Sequence, residues 1–363
     1  MRLLFILFLT FFILGCNDAK DQPLKIGFVA GLSGKYSQLG TSVRNGVTLA
    51  FSQINYTINN QKIDLQIHDD KQNPKEAKKA IDQFLQNDIK LIIGNATSSM
   101  TKISLNSIKD KKDTTLFSAT ASSNIFTAID DNFIRTQVDH TKTKYKNLSN
   151  YLRQKNYKNI FFIYDPDNQS YVKDYEETFQ DVFIEHGGNK FVHSIGINEP
   201  HDAITEKIQQ SNADLILIVA NSIDTAQIVQ YLKVNNVHTK ILSSGWAKTL
   251  DLIQNGGSAV EGMLFNTGYD DNASNPEFIQ FKKDFYAHFK KEPSIFAAQG
   301  YELAQIVLKV LQSSSDLTQF KQQVLKIKTF SGLQGDIVFN QYGDVSRDYF
   351  LVEIKNKKFI RVQ

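Results

Sequence analysis

The stretch LKIGFVAGLSGKYSQLGTSVRNGVTLAFSQIN, residues 24–55, runs through an apolar segment, a loop and a helical pattern without interruption. The apolar run at 25–30 predicts a strand, and residues 31–37 are rich in glycine and hydroxyl side chains, as loops are. Apolar residues at helical spacing over 39–55 predict a helix. The first N–H groups of such a helix have no partner within it, so they favour an anion such as a carboxylate. The stretch therefore predicts a ligand site above the end of a strand.

The beginning of the chain has the pattern of a bacterial export signal. Arg2 precedes an almost unbroken run of Leu, Ile and Phe over 3–14, which is too short to span a bilayer and suits a signal peptide. The run leads into ILGC, which resembles the lipobox of bacterial lipoproteins, with Cys16 at the lipidated position. We expect a signal peptide over 1–15, a lipidated cysteine and polar tether over 16–23, and a lipid-anchored protein in the periplasm or at the cell surface. An ordinary signal peptide with an incidental cysteine is the alternative.

Length, cysteine count and charge narrow the class of protein. The chain has 363 residues, and the part after Cys16 exceeds a single core of typical size, so two lobes are expected. Cys16 is the only cysteine, which leaves no disulfide in the mature chain and makes hydrophobic cores its source of stability. The 41 basic and 38 acidic residues give a net charge of +3, and the basic residues are scattered. Nucleic-acid binding therefore has little support.

Strand and helix patterns alternate along most of the chain. The candidate strands are 25–30, 63–68, 90–94, 114–118, 133–136, 159–164, 190–195, 214–219, 239–243, 262–267, 335–339, 348–354 and 358–362. The candidate helices are 39–55, 74–87, 100–109, 140–154, 170–186, 201–210, 222–235, 248–254, 276–290, 296–313 and 316–327. This alternation predicts an α/β fold with parallel sheets flanked by helices. Crossings near 137–141, 267–272 and 328–334 would give one lobe of residues 24–138 plus 270–330 and a second lobe of residues 139–269 plus 331–363.

Several segments, in the right order, resemble the type I periplasmic binding proteins, specifically the leucine/isoleucine/valine-binding branch that serves ABC transporters of branched-chain amino acids and amides. The segments are IGF at 26–28, LSG at 32–34, NG at 45–46, HDD at 68–70, GGSAVEG at 256–262, GYELA at 300–304 and GDIVF at 335–339. The resemblance covers about residues 24–360. It implies two Rossmann-like lobes, joined by hinge crossings, that close over an amino acid or a related amide or carboxylate. The loaded protein would then be presented to ABC permease subunits, with no cofactor.

The resemblance places first-lobe ligand contacts in two loops that follow strands. Thr97 and Ser98 stand at the start of a helical pattern, where hydroxyl and amide groups can hold a carboxylate. A family serine matching Ser98 binds the carboxylate of the amino acid, whereas plain helix capping is the alternative. Thr120 and Ser122 match a backbone and a hydroxyl contributor of the second loop, although Ala119 replaces the family's proline.

Apolar and aromatic residues are expected to form the walls of the site. Tyr171 resembles the family tyrosine that covers the ligand from the second lobe, and Trp246, the only tryptophan, follows a strand and offers a broad apolar face. Tyr36, Leu39 and Phe296 are further wall candidates. For each of the five, ordinary packing within a lobe is the alternative.

The branched-chain binders carry a glutamate near Trp246 that pairs with the ligand's ammonium, and this chain has no carboxylate there. Asp224, which follows Asn221 at the end of a strand, and Glu302, in a first-lobe helix, are the replacement candidates. An ammonium in a closed cleft needs such a partner, because burying an unpaired charge is costly. If neither carboxylate points inward, the ligand is expected to be uncharged at that end.

The enzyme motifs that parts of this sequence suggest are incomplete. A phosphate-binding loop would need glycine at Val29 and Ser or Thr at Tyr36. The seven histidines are scattered without metal-ligand spacing. We therefore expect a binding protein that captures and releases a solute without changing it. A sensor that signals to a membrane receptor is the alternative, and an enzyme acting on the captured solute is a third class.

Overall fold

The computed structural model describes residues 22–362, so the expected signal peptide and Cys16 lie outside the described residues. The strands are β1 (Leu24–Ala30), β2 (Thr57–Ile58), β3 (Gln61–Asp69), β4 (Leu91–Gly94), β5 (Thr115–Ser118), β6 (Phe133–Arg135), β7 (Ile160–Tyr164), β8 (His193–Gly196), β9 (Leu215–Val219), β10 (Lys240–Ser244), β11 (Leu264–Thr267), β12 (Thr329–Gly332), β13 (Gly335–Val338), β14 (Phe350–Lys355) and β15 (Lys358–Arg361). The helices are α1 (Ser37–Ser52), α2 (Pro74–Gln86), α3 (Ser98–Ile108), α4 (Lys142–Gln154), α5 (Gln169–Glu185), α6 (His201–Gln210), α7 (Ser222–Val234), α8 (Leu250–Gly256), α9 (Pro276–Phe289), α10 (Ile295–Ser313) and α11 (Phe320–Ile327).

The first lobe is built on a six-stranded sheet of order β2-β3-β1-β4-β5-β6, parallel except for the short β2. Side chains of β1 alternate between two cores: Phe28 packs with residues of α1 and α10, and Val29 packs with Phe84 of α2. Helices α1 and α10 pack so closely that a Cβ on Gly46 would lie only 2.0 Å from the carbonyl oxygen of Ala297. This close packing fixes the loop before α1 above the end of β1.

The second lobe is built on a seven-stranded sheet of order β15-β14-β11-β10-β9-β7-β8. Strands β7 to β11 are parallel, while β14 and β15 are antiparallel additions at one edge. Phe161 packs toward α7 and α8, and the next residue, Phe162, packs toward α4 and α5. Both faces of the sheet are therefore covered by helices, as the apolar strand sequences require. The predicted α/β fold with two lobes of largely parallel sheet is confirmed.

The β12–β13 hairpin packs with the first lobe, since Phe330 and Ile337 belong to the same core as Phe117 of β5. These contacts favour a third crossing near 346–349, after the hairpin, instead of the expected 328–334. The boundaries 24–138 plus 270–330 and 139–269 plus 331–363 otherwise stay a prediction. None of the helices within residues 22–362 has the length and apolar character needed to cross a bilayer.

Candidate ligand-binding cleft

The lobes meet face to face, and polar contacts bridge them. The Tyr36 hydroxyl, just before α1, donates to Oδ2 of Asp165 at the end of β7, 2.9 Å away. The backbone N–H of Ser99, in the first turn of α3, donates to Oδ1 of Asn168 at 3.2 Å. Both contacts join loops at the carboxyl ends of parallel strands, one loop from each lobe. The structure is thus a closed arrangement of the lobes.

A cavity lies at this junction. Its empty space, counted together with the solvent at its mouth, is ≈ 760 Å³. The lining residues are Leu39, Ala96, Thr97, Ser98, Thr120, Gln137, Lys144, Asn168, Tyr171, Tyr175, Gly245, Trp246, Asn266, Thr267, Gly268, Tyr269, Ile295, Phe296, Gln299, Arg347 and Tyr349. They come from both lobes and from the crossings between them, so closure completes the wall.

Aromatic rings form one side of the cavity. Trp246, in a short turn after β10, is buried and stacks on Tyr36 of the other lobe with ring centroids 6.1 Å apart. The ring of Tyr171, in the first turn of α5, meets Trp246 edge-on at 5.7 Å. Leu39 and Phe296 also line the cavity, as expected. The resulting wall is broad and apolar and suits a flat or branched hydrophobic group.

The side-chain hydroxyls of Thr97, Ser98 and Thr120 all form hydrogen bonds within the protein. Thr97 Oγ1 donates to Gln72 Oε1 at 2.8 Å, and Thr120 Oγ1 donates to the Ala96 carbonyl at 2.6 Å. Ser98 Oγ accepts the N–H groups of Ser122 and Ser123, each at 3.2 Å, which leaves its proton available to donate. The bonds of Ser98 and Thr120 tie the loops after β4 and β5 to each other, and the bond of Thr97 ties the loop after β4 to the loop after β3.

Ser122 does not line the cavity. Its Oγ lies 3.2 Å from Nε2 of the buried His140, near the first crossing between the lobes. Burial lowers the pKa of His140 well below its ordinary value, with the charges of Lys144 and Arg135 as smaller contributors. The ring is therefore neutral at physiological pH and serves as an uncharged hydrogen-bonding partner.

The two carboxylates proposed to answer a ligand ammonium are both paired with cations of the chain. Asp224 Oδ2 lies 3.4 Å from Lys35 Nζ and accepts from the Asn221 side chain, and neither Asp224 nor Asn221 lines the cavity. Glu302, buried behind the wall, lies 2.6 Å from Arg347 Nη2 and also accepts from the N–H of Leu333. Neither carboxylate lines the cavity, and a ligand that is uncharged at that end stays a prediction.

Two cations line the cavity, the buried Lys144 and the partly buried Arg347, and sequence reasoning missed both. Lys144 is only 7% exposed, and its ammonium lies 3.5 Å from the Val138 carbonyl and 4.9 Å from the ring centre of Tyr349. Arg347 lies in the segment before β14 and pairs with Glu302. Burial lowers the pKa of Lys144 to about 7; the nearby Asp139 carboxylate opposes this, and Arg135 adds to it. Lys142, Lys144 and Lys146 lie close together in one helix, and no pattern in the sequence marks Lys144 as the buried one.

The predicted site residues thus fall into two groups by position. Those that line the cavity are Thr97, Ser98, Thr120, Tyr171 and Trp246. Those that lie behind or beside it are Tyr36, Ser122, Asn221, Asp224 and Glu302. Ligand contact by any of them stays a prediction. Across residues 22–362, no group of three or more His, Cys, Asp or Glu side chains is placed to hold a metal ion.

Comparison with known proteins agrees with this geometry. The family model described as periplasmic binding protein matches residues 23–358. The leucine-, isoleucine-, valine-, threonine- and alanine-binding protein of Pseudomonas aeruginosa is 19% identical over 351 residues, 94% of this chain and 92% of its own. A leucine binding protein from Thermotoga maritima superposes with a TM-score of 0.83 at 21% identity, covering 94% of this chain and 98% of its own. A solute binding protein from R. palustris in complex with benzoate gives 0.85 at 17% identity, with 94% and 96% covered.

Proposed function

This chain belongs to the periplasmic binding protein family, and we propose that it is an extracytoplasmic lipoprotein that captures a small carboxylate-bearing solute for an ABC importer. The observation that supports this most directly is the enclosed cavity between two lobes whose rims are joined by hydrogen bonds. Such proteins close on a ligand because the closed state makes contacts that the open state lacks. Relatives and structural neighbours carry the names of binding proteins, which agrees with reversible capture without catalysis.

The solute is proposed to be an amino acid or a related amide or acid. The structural neighbours include a leucine binding protein and a protein in complex with benzoate, and these two ligands share a carboxylate and an apolar body. The cavity offers a counterpart to each part, with the cations Lys144 and Arg347 on one side and Trp246, Tyr171 and Phe296 on another.

The test is a thermal-shift screen of the purified mature protein against amino acids, their amides, urea and small carboxylic acids. A ligand at a hundred times its dissociation constant adds about 2.7 kcal/mol of stability, which raises the melting temperature visibly. A shift with at least one class supports solute capture. The absence of any shift across the panel would contradict it.

Membrane attachment through Cys16 is a separate part of the proposal. Diacylation gives stable anchoring because each buried methylene contributes about 0.8 kcal/mol. The variant Cys16→Ser should move the protein from the membrane fraction to the soluble fraction or leave it as uncleaved precursor. Metabolic labelling with a radioactive fatty acid should mark the wild type alone. Equal labelling of both proteins would contradict lipidation at this position.

A further inference from the structure

Lys144 has an unusual environment for a buried cation. Its ammonium is enclosed at the cavity wall, and the contacts around it are one carbonyl at 3.5 Å and the faces of Tyr349 and Tyr145 at 4.9 and 5.8 Å. No carboxylate within residues 22–362 lies within 4.0 Å of it, and the nearby Asp139 pairs with Arg135 at 3.5 Å. Burying a charge without an opposite charge is costly, so this position favours an anion from outside the chain.

Arg347 adds a second donor to the same cavity. Its Nη2 is held by Glu302 at 2.6 Å, while its Nε is buried and has no hydrogen-bond partner. The guanidinium is therefore fixed in place by the protein and still has an N–H to offer. The charged side chains that line the cavity are Lys144 and Arg347, and both are cations.

An amino-acid ligand does not fit this charge pattern. Its carboxylate would find a partner, but its ammonium would enter a closed space with two cations and no lining carboxylate. Asn266 Oδ1 and Gln299 Oε1 are buried oxygens without a hydrogen-bond partner, so each can accept a hydrogen bond from a ligand. Because both groups are neutral, they supply no opposite charge for an ammonium. They suit an uncharged donor on the ligand, such as a hydroxyl.

We propose that the cleft selects a carboxylic acid without an ammonium group, with the Lys144 ammonium as the counter-ion of its carboxylate and an apolar body against Trp246 and Tyr171. The inference rests on the proposed function, since it names the ligand class of the same cavity. It differs from the amino-acid specificity in the names of the leucine-binding relatives. The lowered pKa of Lys144 agrees with it, because a carboxylate neighbour would restore the charged form.

The test compares ligands that differ only in the ammonium group. Isothermal titration of the purified mature protein at pH 6 would use 4-methylpentanoate against leucine and 3-phenylpropanoate against phenylalanine. The neutral amides 4-methylpentanamide and 3-phenylpropanamide test whether the carboxylate is needed. We expect the better acid to bind at least ~30-fold more tightly than its amino acid and its amide, the factor typical of one buried charge pair.

Variants then locate the counter-ion. Lys144→Met should weaken binding of the acid by at least ~30-fold. The matched control is Lys146→Met, which removes an exposed lysine from the same helix and should leave the affinity unchanged. Wild-type titrations alone decide the ligand class if Lys144→Met fails to fold.

The outcomes separate the two proposals. Tighter binding of an amino acid or the amide than of the matching acid would overturn the inference and leave solute capture intact. An acid that binds the wild type and the folded Lys144→Met variant equally would overturn the role of Lys144. No binding by any of these compounds would overturn the inference, and no shift in the wider thermal screen as well would overturn solute capture.

Discussion

Replacing Lys144 by methionine is expected to stabilise the ligand-free protein while it weakens ligand binding. The side chain lies in the first turn of α4, is almost fully buried at the cavity wall, and forms no ion pair with any described carboxylate. Methionine has nearly the shape of the lysine stem and keeps its apolar contacts. Substitutions that conserve volume in this way usually cost less than about 1.5 kcal/mol. The gain comes from removing a charge that burial disfavours.

The magnitude follows from the pKa of Lys144. Burial lowers it from 10.5 to about 7, and at about 1.36 kcal/mol for each pH unit the buried charge costs up to about 5 kcal/mol. This is a ceiling, because opening of the lobes lets water reach the ammonium in the ligand-free protein. We expect Lys144→Met to raise the free energy of unfolding by about 3 kcal/mol at pH 6, with part of the ceiling lost to hydration and repacking.

The gain should depend on pH with a defined sign. Between about pH 7 and 10.5 the unfolded chain holds a proton on Lys144 that the folded protein lacks, so wild-type stability rises with pH across this window. Below pH 7 both states are charged and the full cost is present. Above 10.5 both are neutral and the cost vanishes. Asp139, His140 and Arg135, with the neutral Tyr145 and Tyr349, surround Lys144 and are common to wild type and variant.

Urea denaturation at pH 6 and pH 9 tests this reasoning, with Lys146→Met as the exposed control. The advantage of Lys144→Met over wild type should be smaller at pH 9, where at most about 2 kcal/mol of the cost remains. The control should match wild type at both values. A variant less stable than wild type at pH 6, or an advantage of equal size at both pH values, would refute a buried charged lysine.

Two further variants probe closure and the cavity wall. Tyr36→Phe removes the hydroxyl that donates to Asp165 across the lobes, so the closed state should lose about 1.5 kcal/mol and ligand affinity about tenfold by calorimetry, with the unfolding midpoint nearly unchanged. Unchanged affinity would show that this bond does not hold the lobes. Glu302→Gln leaves the Arg347 guanidinium buried without its counter-ion and should lower the free energy of unfolding by about 3–5 kcal/mol in urea. A loss below about 1 kcal/mol, the typical value of an exposed pair, would contradict its burial.

Most of the fold could be predicted because its signals are local. The strand predicted at 214–219 is Leu215–Val219, and the helix predicted at 201–210 is His201–Gln210. An apolar run or a helical spacing pattern involves residues that are only a few positions apart in the sequence. The alternation of strands and helices then predicts parallel sheets. The pairing of β12 with β13 was missed because the two strands are short and carry little alternation.

The sequence could predict the part of the site that lies at the carboxyl ends of parallel strands. Thr97, Thr120 and Trp246 each follow a parallel strand, and such strands end at the same edge of their sheet, so all three line the cavity. Lys144 and Arg347 follow no such rule. The first lies in a helix with lysines on either side, and the second lies in a segment without regular structure. Their positions depend on contacts between distant chain segments, such as Lys144 with Tyr349 and Arg347 with Glu302, which no local pattern encodes.

If the proposed carboxylate binds beside Lys144, the charge of Lys144 links closure of the lobes to ligand binding. A ligand shifts an equilibrium between open and closed lobes only as far as it interacts differently with the two states. In the closed protein without ligand the ammonium is enclosed with no described carboxylate within 4.0 Å, whereas opening the cleft exposes it to water. A bound carboxylate removes this cost in the closed state alone, because only there is water excluded. The same side chain that destabilises the ligand-free closed form therefore couples capture to closure.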